Sequence, residues 1–271
     1  MKRLMILIIL FCLFFKFGFA GEFDPAAEQK GSLAVKNDNP KILNWADSFY
    51  DYLPGKNVDE IWKNPLNALG KASGEVSDIV CLGDKGEITL GFSFPIKNRN
   101  GFDFAVFENS FSDKFLELAR VFVSTNGIDF IGFDTFSNTL KPVSTYGTIE
   151  PEDIKNFAGK YRRGYGTCFD LDELKENQMV ISGKVDLNEI NFIKIKDVIG
   201  SGEEIDSRGN QVFDPYPTFG SGGFDLDGAC SLDGLLLDSD KEDLIEEEDV
   251  EYSKEGFGNE DGCFIKIFLK D

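Results

Sequence analysis

Residues 87–94 set the tightest limit on what this chain can fold into. Ile88, Leu90, Phe92 and Phe94 alternate with Glu87, Thr89, Gly91 and Ser93. Apolar residues at every second position line one face of an extended chain, so this stretch reads as a half-buried strand. Pro95 cannot donate to a ladder and stops it. Similar short apolar stretches recur at 102–107, 121–123, 128–133, 179–181, 193–199, 224–226 and 263–269. Asn126-Gly127 between two of them is a hairpin signal. Helix is expected only locally, around 113–118, 151–157 and 170–175. Residues 42–69 mix Trp, Phe and Tyr with Pro and Gly and hold neither period, so they read as irregular and partly helical. Many short strands without βαβ alternation predict an all-β fold: an antiparallel jelly-roll-like β-sandwich with a few short helices.

The first twenty residues read as a signal peptide. Lys2 and Arg3 make a basic start, 4–15 is almost wholly apolar, and Gly18 and Ala20 are the small residues of a cleavage site. Lys16 interrupts the run, which is too short to span a bilayer comfortably, so no membrane span is expected after cleavage. The expected location is outside the cytoplasm: periplasmic, extracellular or on the cell surface. Residues 21–40 are polar and expected to be a flexible leader. Residues 41–271 are read as one β-sandwich domain. Within it, nine of the fourteen residues from 238 to 251 are acidic, a block that repels itself and is expected to be a solvated loop before a C-terminal strand. Export permits disulfides. Cys81, Cys168, Cys230 and Cys263 allow three full pairings, and a Cys230–Cys263 bridge would tie down the tail.

Charge and composition remove whole classes of chemistry. With 28 Lys+Arg against 48 Asp+Glu the formal charge is −20, which argues against nucleic acid. The chain has no His, so imidazole bases, Ser-His-Asp and Cys-His pairs are excluded. Polar chemistry must rest mainly on carboxylates.

Three acidic sites stand out. In Gly222-Gly223-Phe224-Asp225-Leu226-Asp227-Gly228, Asp225 and Asp227 share one face of a strand while Phe224 and Leu226 face the core. Two such carboxylates repel unless something positive lies between them. A hard cation with oxygen ligands, calcium above all, is the natural partner. Asp103 and Glu108 lie within and at the end of a strongly apolar strand, where a charge is costly unless paired or metal-bound; Arg120 is the plain ion-pair alternative. Asp197 shares the alternation of Ile193 and Ile195 and points inward. Separately, Tyr161, Arg162, Arg163 and Tyr165 form the basic-aromatic cluster of an acidic chain, and Asp214 and Tyr216 lie in a long Gly- and Pro-containing loop. Aromatics with Arg and nearby carboxylates suit a sugar ring, and these six residues are the expected ligand-binding set.

Several short blocks occur in one order: Asn67-Ala68-Leu69-Gly70, Gly86-Glu87-Ile88-Thr89-Leu90-Gly91-Phe92, Asp103-Phe104-Ala105-Val106-Phe107-Glu108-Asn109, Val123-Ser124-Thr125-Asn126-Gly127, Ala158-Gly159-Lys160-Tyr161-Arg162, Asp214-Pro215-Tyr216-Pro217-Thr218 and Gly222-Gly223-Phe224-Asp225-Leu226-Asp227. Over about residues 42–230 the chain resembles a family of secreted or surface-displayed bacterial proteins described only as cell surface proteins. That resemblance implies a jelly-roll sandwich akin to carbohydrate-binding modules. By analogy with such modules, a structural calcium would join Glu108 to Asp225 or Asp227. The chain departs from the family after Ala229.

The leading expectation is an exported, non-enzymatic, calcium-stabilised module that binds glycan or another surface ligand. Its metal set would be drawn from Asp103, Glu108, Asp197, Asp225 and Asp227. The alternatives are a glycoside hydrolase or lyase using a pair among Asp103, Glu108, Asp225 and Asp227, two carboxyls flanking a cleft, and a purely structural envelope protein.

Overall fold

A computed structural model describes residues 21–236. In chain order its elements are β1 (Val35–Lys36), β2 (Ile42–Trp45), β3 (Ser48–Leu53), β4 (Val80–Cys81), β5 (Glu87–Ile96), β6 (Phe102–Glu108), β7 (Ala119–Ser124), β8 (Ile131–Gly132), β9 (Phe136–Ser137), β10 (Ile154–Lys155), β11 (Tyr165–Phe169), α1 (Gln178–Ile181), β12 (Ile190–Asp197) and β13 (Asp225–Leu235). One large sheet runs β1-β11-β6-β13-β2, with β4 also paired to β13; a second runs β3-β5-β12-β7-β8; β9 and β10 form a separate two-stranded ladder. The pairings within both sheets are antiparallel. The chain is therefore all-β, as its alternation predicts. No helix among the described residues is long and apolar enough to cross a membrane.

The core lies between the sheets. Ile88, Leu90 and Phe92 of β5 and Ile193 and Ile195 of β12 meet Phe104 and Val106 of β6 and Leu226 of β13 in one cluster. Phe104 and Phe169 stack at 5.0 Å. β6 is buried on both faces, because Ala105 and Phe107 enter a second cluster with Val35, Cys168, Cys230 and Leu232. A strand covered on both sides reads as a continuous apolar run, which is why the acids at its ends stand out. A third cluster, with Leu116, Leu118, Phe157, Val212 and Phe213, sits beneath the long connections.

Four sequence expectations need correction. Residues 179–181 form α1, not a strand: Asn177 Oδ1 accepts the Met179 N–H at 2.9 Å and Gly183, at φ +74°, ends the turn. A side-chain cap outweighed the β-branched composition there. Residues 42–53 form β2 and β3, because edge strands need satisfy only one neighbour and one face. Residues 113–118 are not helical, and 151–157 and 170–175 carry only 3-10 turns at Pro151–Asp153 and Leu171–Leu174. Finally, the segment from residue 21 packs on the sandwich: Ala26, Ala27 and Val35 are buried and β1 pairs with β11.

The Asn126-Gly127 hairpin is present. β7 and β8 pair through Val123 and Ile131, and Asn126 Oδ1 accepts the N–H groups of Ile128 and Asp129, both at 2.9 Å. Cys81, Cys168 and Cys230 are buried and form no disulfide among the described residues. Cys168 and Cys230 flank Ala105 from opposite sides of β6, about two strand spacings or roughly 9–10 Å apart, too far for a bridge. The signal peptide at 1–20, the acidic loop at 238–251, the strand at 263–269 and the Cys230–Cys263 pairing lie outside the described residues.

Candidate functional site

The strand order brings acidic residues from five segments to one end of the sandwich. Leu226 stands opposite Glu108, and the Asn109 N–H bonds the Asp225 carbonyl at 3.1 Å. Thus the end of β6 and the start of β13 are adjacent. Asp197, at the end of β12, pairs with Ala119. Glu117 precedes β7, and Asp214 arrives from the 200–223 loop.

Most of these carboxyls hold backbone. Asp197 Oδ1 accepts from Phe224 N at 2.8 Å and its Oδ2 from Lys85 N at 3.1 Å. Glu117 Oε1 accepts from Gly223 N at 2.7 Å. Asp214 Oδ2 accepts from Leu118 N at 3.0 Å, and Glu108 Oε2 from Ser110 N at 2.7 Å. Asp225 is different. Its Oδ1 is sealed from solvent and has no hydrogen-bond partner. Gly223 belongs to the same junction: it takes φ +94°, and a Cβ there would come within 3.0 Å of Asp197 Oδ1 and 2.9 Å of the Gly83 Cα.

No cation offsets the cluster. Glu108, Glu117, Asp197, Asp214 and Asp225 take part in no ion pair among the described residues. Arg120, the plain alternative, instead pairs with Glu204 and bonds Thr135 and the Ile205 carbonyl. Burial pushes the Glu108 carboxyl well above the usual range, and the Glu117 and Asp225 charges push it further. Burial and then Asp225 do the same to Glu117. Asp197 is raised by burial and then by Asp214, and Asp214 by burial, with Asp84 and Glu204 adding to it. Burial lifts Asp225 to about 7. Each acid opposes ionisation of its neighbours. Among the described residues no three Asp, Glu, Cys or His side chains are placed so that together they could hold a metal ion.

Asp103 and Asp227 serve elsewhere. Asp103 sits at the other end of β6, where Oδ1 accepts from Arg99 N at 2.7 Å and Oδ2 from Leu171 N at 2.8 Å. Asp227 holds the 73–74 turn, accepting from Ser73 N at 2.9 Å and Gly74 N at 2.8 Å. Of the five expected metal residues, Glu108, Asp197 and Asp225 come together. Glu117 was missed as a candidate, although it carries the same signal as Glu108: an acid inside the apolar run Phe115-Leu116-Glu117-Leu118.

The expected ligand set does not assemble. Tyr161 is buried with its hydroxyl donating to Asp24. Arg162 pairs with Glu28 at 2.5 Å and Asp113 at 2.6 Å, and Tyr165 donates to Glu28 at 2.5 Å. The N-terminal segment thus occupies their polar atoms. Arg163 is exposed and its N–H bonds the Ser110 carbonyl at 2.9 Å. Asp214 belongs to the acid cluster, and Tyr216, before a cis Pro217, bonds Val143.

A different surface offers aromatic and polar groups together. On the outer face of the second sheet a groove of about 280 Å³ is lined by Asp47, Ser48, Tyr50, Ser93, Asn191 and Phe192 over a floor at Gly91. Tyr50 and Phe192 meet edge to face at 5.5 Å, and Tyr50 is 49% exposed. A Cβ on Gly91 would come within 2.5 Å of Ser48 Oγ and 2.9 Å of the Tyr50 ring, so a side chain there would have to displace both.

Fold and site together define an all-β sandwich protein with a sealed acid cluster at one end. No protein-family model matches the chain, and no curated protein matches it either.

Proposed function

We propose that this is an exported, non-catalytic binding module whose sandwich is completed by calcium at the Glu108–Glu117–Asp197–Asp214–Asp225 cluster, and which binds glycan across the Tyr50–Phe192 groove. The observation that carries the calcium reading is the sealed, partnerless Oδ1 of half-buried Asp225 beside four buried acids that have no ion-pair partner among the described residues. Carboxylates are hard oxygen donors, and a divalent ion at their centre would remove both the desolvation cost and the mutual repulsion. Ion entry would draw the free oxygens inward while the bonded ones keep their backbone partners.

The burial of these acids supports the non-catalytic reading over a hydrolase. Asp103 is 0% exposed, and Glu108 and Asp227 are 2% exposed. Asp103 is also a strand's length from Glu108. A paired-carboxylate mechanism needs both groups at a cleft. The groove supports the glycan reading, because rings for stacking and short polar side chains for hydroxyls lie together there.

Equilibrium dialysis of the purified chain against calcium, with magnesium competing, tests the metal. One saturable calcium per chain is expected; only weak, non-saturating uptake would reject it. A glycan array probed with the wild type and Tyr50→Ala tests the groove. Binding lost in the variant is expected, and binding that survives it would move the ligand elsewhere.

A further inference from the structure

Lys160 is the only basic residue that the fold buries among the described residues, at 2% exposed. Its Nζ lies 2.5 Å from Asp24 Oδ1 and 2.7 Å from the Ile154 carbonyl oxygen. Tyr161 donates its hydroxyl to the other oxygen, Asp24 Oδ2. Asp24 and Lys160 are 136 positions apart. Beside them is a partly open cavity of about 110 Å³, lined by Leu33, Phe102, Cys168 and Thr167 together with the polar Lys155, Asn156 and Glu173. Thr167 is 5% exposed, and its Oγ1 has no hydrogen-bond partner.

We propose that Lys160 and Asp24 condense into an isopeptide bond that fastens the N-terminal segment covalently to the sandwich. The Nζ already touches the carboxyl group it would attack, and apposition of this kind replaces a bimolecular encounter. Burial pulls the Lys160 ammonium below the usual lysine range. Transfer of one proton from Nζ to Oδ1 within the pair frees the Nζ lone pair and readies Oδ1 to leave. The Nζ lone pair attacks Asp24 Cγ and one N–C bond forms. The C–Oδ1 bond breaks, and Oδ1 leaves as water with two protons from the former ammonium. Oδ2 becomes the amide oxygen, with the Tyr161 hydroxyl already on it to stabilise the intermediate's negative charge. The Ile154 carbonyl holds one Nζ hydrogen and so aims the lone pair. The departing water has the cavity and the free Thr167 Oγ1 to enter. Cation and anion cancel, and no oxidant or reductant is needed.

The residue after Asp24 makes the test clean. Pro25 has no N–H, so Asp24 cannot cyclise to a succinimide, the other common route to losing one water at an aspartate. The chain is purified from its exported fraction, reduced, denatured and weighed whole. The expected mass is about 18 Da below that of the sequence from its measured N-terminus. Trypsin should yield a branched peptide joining the Asp24 and Lys160 segments, uncut after Lys160. Hot dilute acid cleaves Asp-Pro bonds through the free aspartate side chain. It should cut Asp214–Pro215 and spare Asp24–Pro25, and the Lys160→Arg chain should be cut at both. Linear peptides at full mass, with Asp24–Pro25 cut as readily as Asp214–Pro215 in the wild type, would overturn the proposal. All three readouts are taken on unfolded chains, so a variant that folds poorly still reports.

Discussion

Asp197 Oδ1 accepts the backbone N–H of Phe224 at 2.8 Å, while the other oxygen of the same carboxyl takes the N–H of Lys85. One side chain at the end of β12 therefore fastens both the turn before β5 and the start of β13. Asp103, Glu117, Asp206, Asp214 and Asp227 act in the same manner on other loops. In this protein buried acids do the work that backbone carbonyls do in regular structure, supplying acceptors where a chain turns away from its ladder.

Replacing Asp197 by alanine leaves the N–H of buried Phe224 and the N–H of exposed Lys85 without acceptors. The buried orphaned donor costs about 1–3 kcal/mol and the exposed Lys85 N–H, which water can reach, adds little, so Asp197→Ala is expected to lose roughly 1–3 kcal/mol in urea unfolding. A loss under about 0.5 kcal/mol would mean that water replaces the carboxylate and that the clamp is incidental.

Asp225 and Asp227 have one sequence pattern and different roles, and they should respond differently. Asp227→Asn puts an amide against Ser73 or Gly74, so it lowers Tm but leaves the calcium response intact. Asp225→Asn removes a charge that burial opposes and that repels Glu108 and Glu117, so at pH 8 in EDTA it raises Tm and abolishes the response. Thermal scans of both variants with and without calcium check this. Equal loss of response in the two would contradict the assignment.

Asp103 gives a pH dependence separate from the cluster. Burial lifts its carboxyl from the usual range to about 7. A raised acid contributes stability that is complete below the unfolded pKa near 4 and is lost as pH rises through about 7. Asp103→Asn cannot ionise, so its deficit against wild type should be largest near pH 4 and shrink by pH 8. Unfolding free energies across that range decide it; a deficit that grows with pH would show that the ionised form is the one the fold prefers.

Much of this architecture was legible in the chain. The alternation in 87–94 and the Asn126-Gly127 turn placed β5, β7 and β8, and the apolar runs placed β6 and β12. Edge strands β2 and β3 were not legible, because exposed positions such as Leu43 and Tyr50 break the period of two. The inward acids were legible one at a time, as charges among apolar neighbours. Their meeting was not, since it depends on strand order: β12 and β13 belong to different sheets, and Asp197 joins their ends by accepting the Phe224 N–H. The occupation of Tyr161, Arg162 and Tyr165 by Asp24 and Glu28 was equally hidden, being a contact between segments more than 130 positions apart.

The central claim is that a cation completes the acid cluster, and melting temperature against free calcium tests it most directly. In EDTA the raised acids make the fold less stable as pH climbs from 5 to 8. At pH 8, calcium at about 100 times its Kd should add roughly 2.7 kcal/mol, a shift on the order of 5–10 °C. The shift should saturate, be absent with magnesium, and be smaller at pH 5, where protons already neutralise the cluster. No shift, or an equal one with magnesium, would contradict the account and leave these carboxyls as backbone clamps alone.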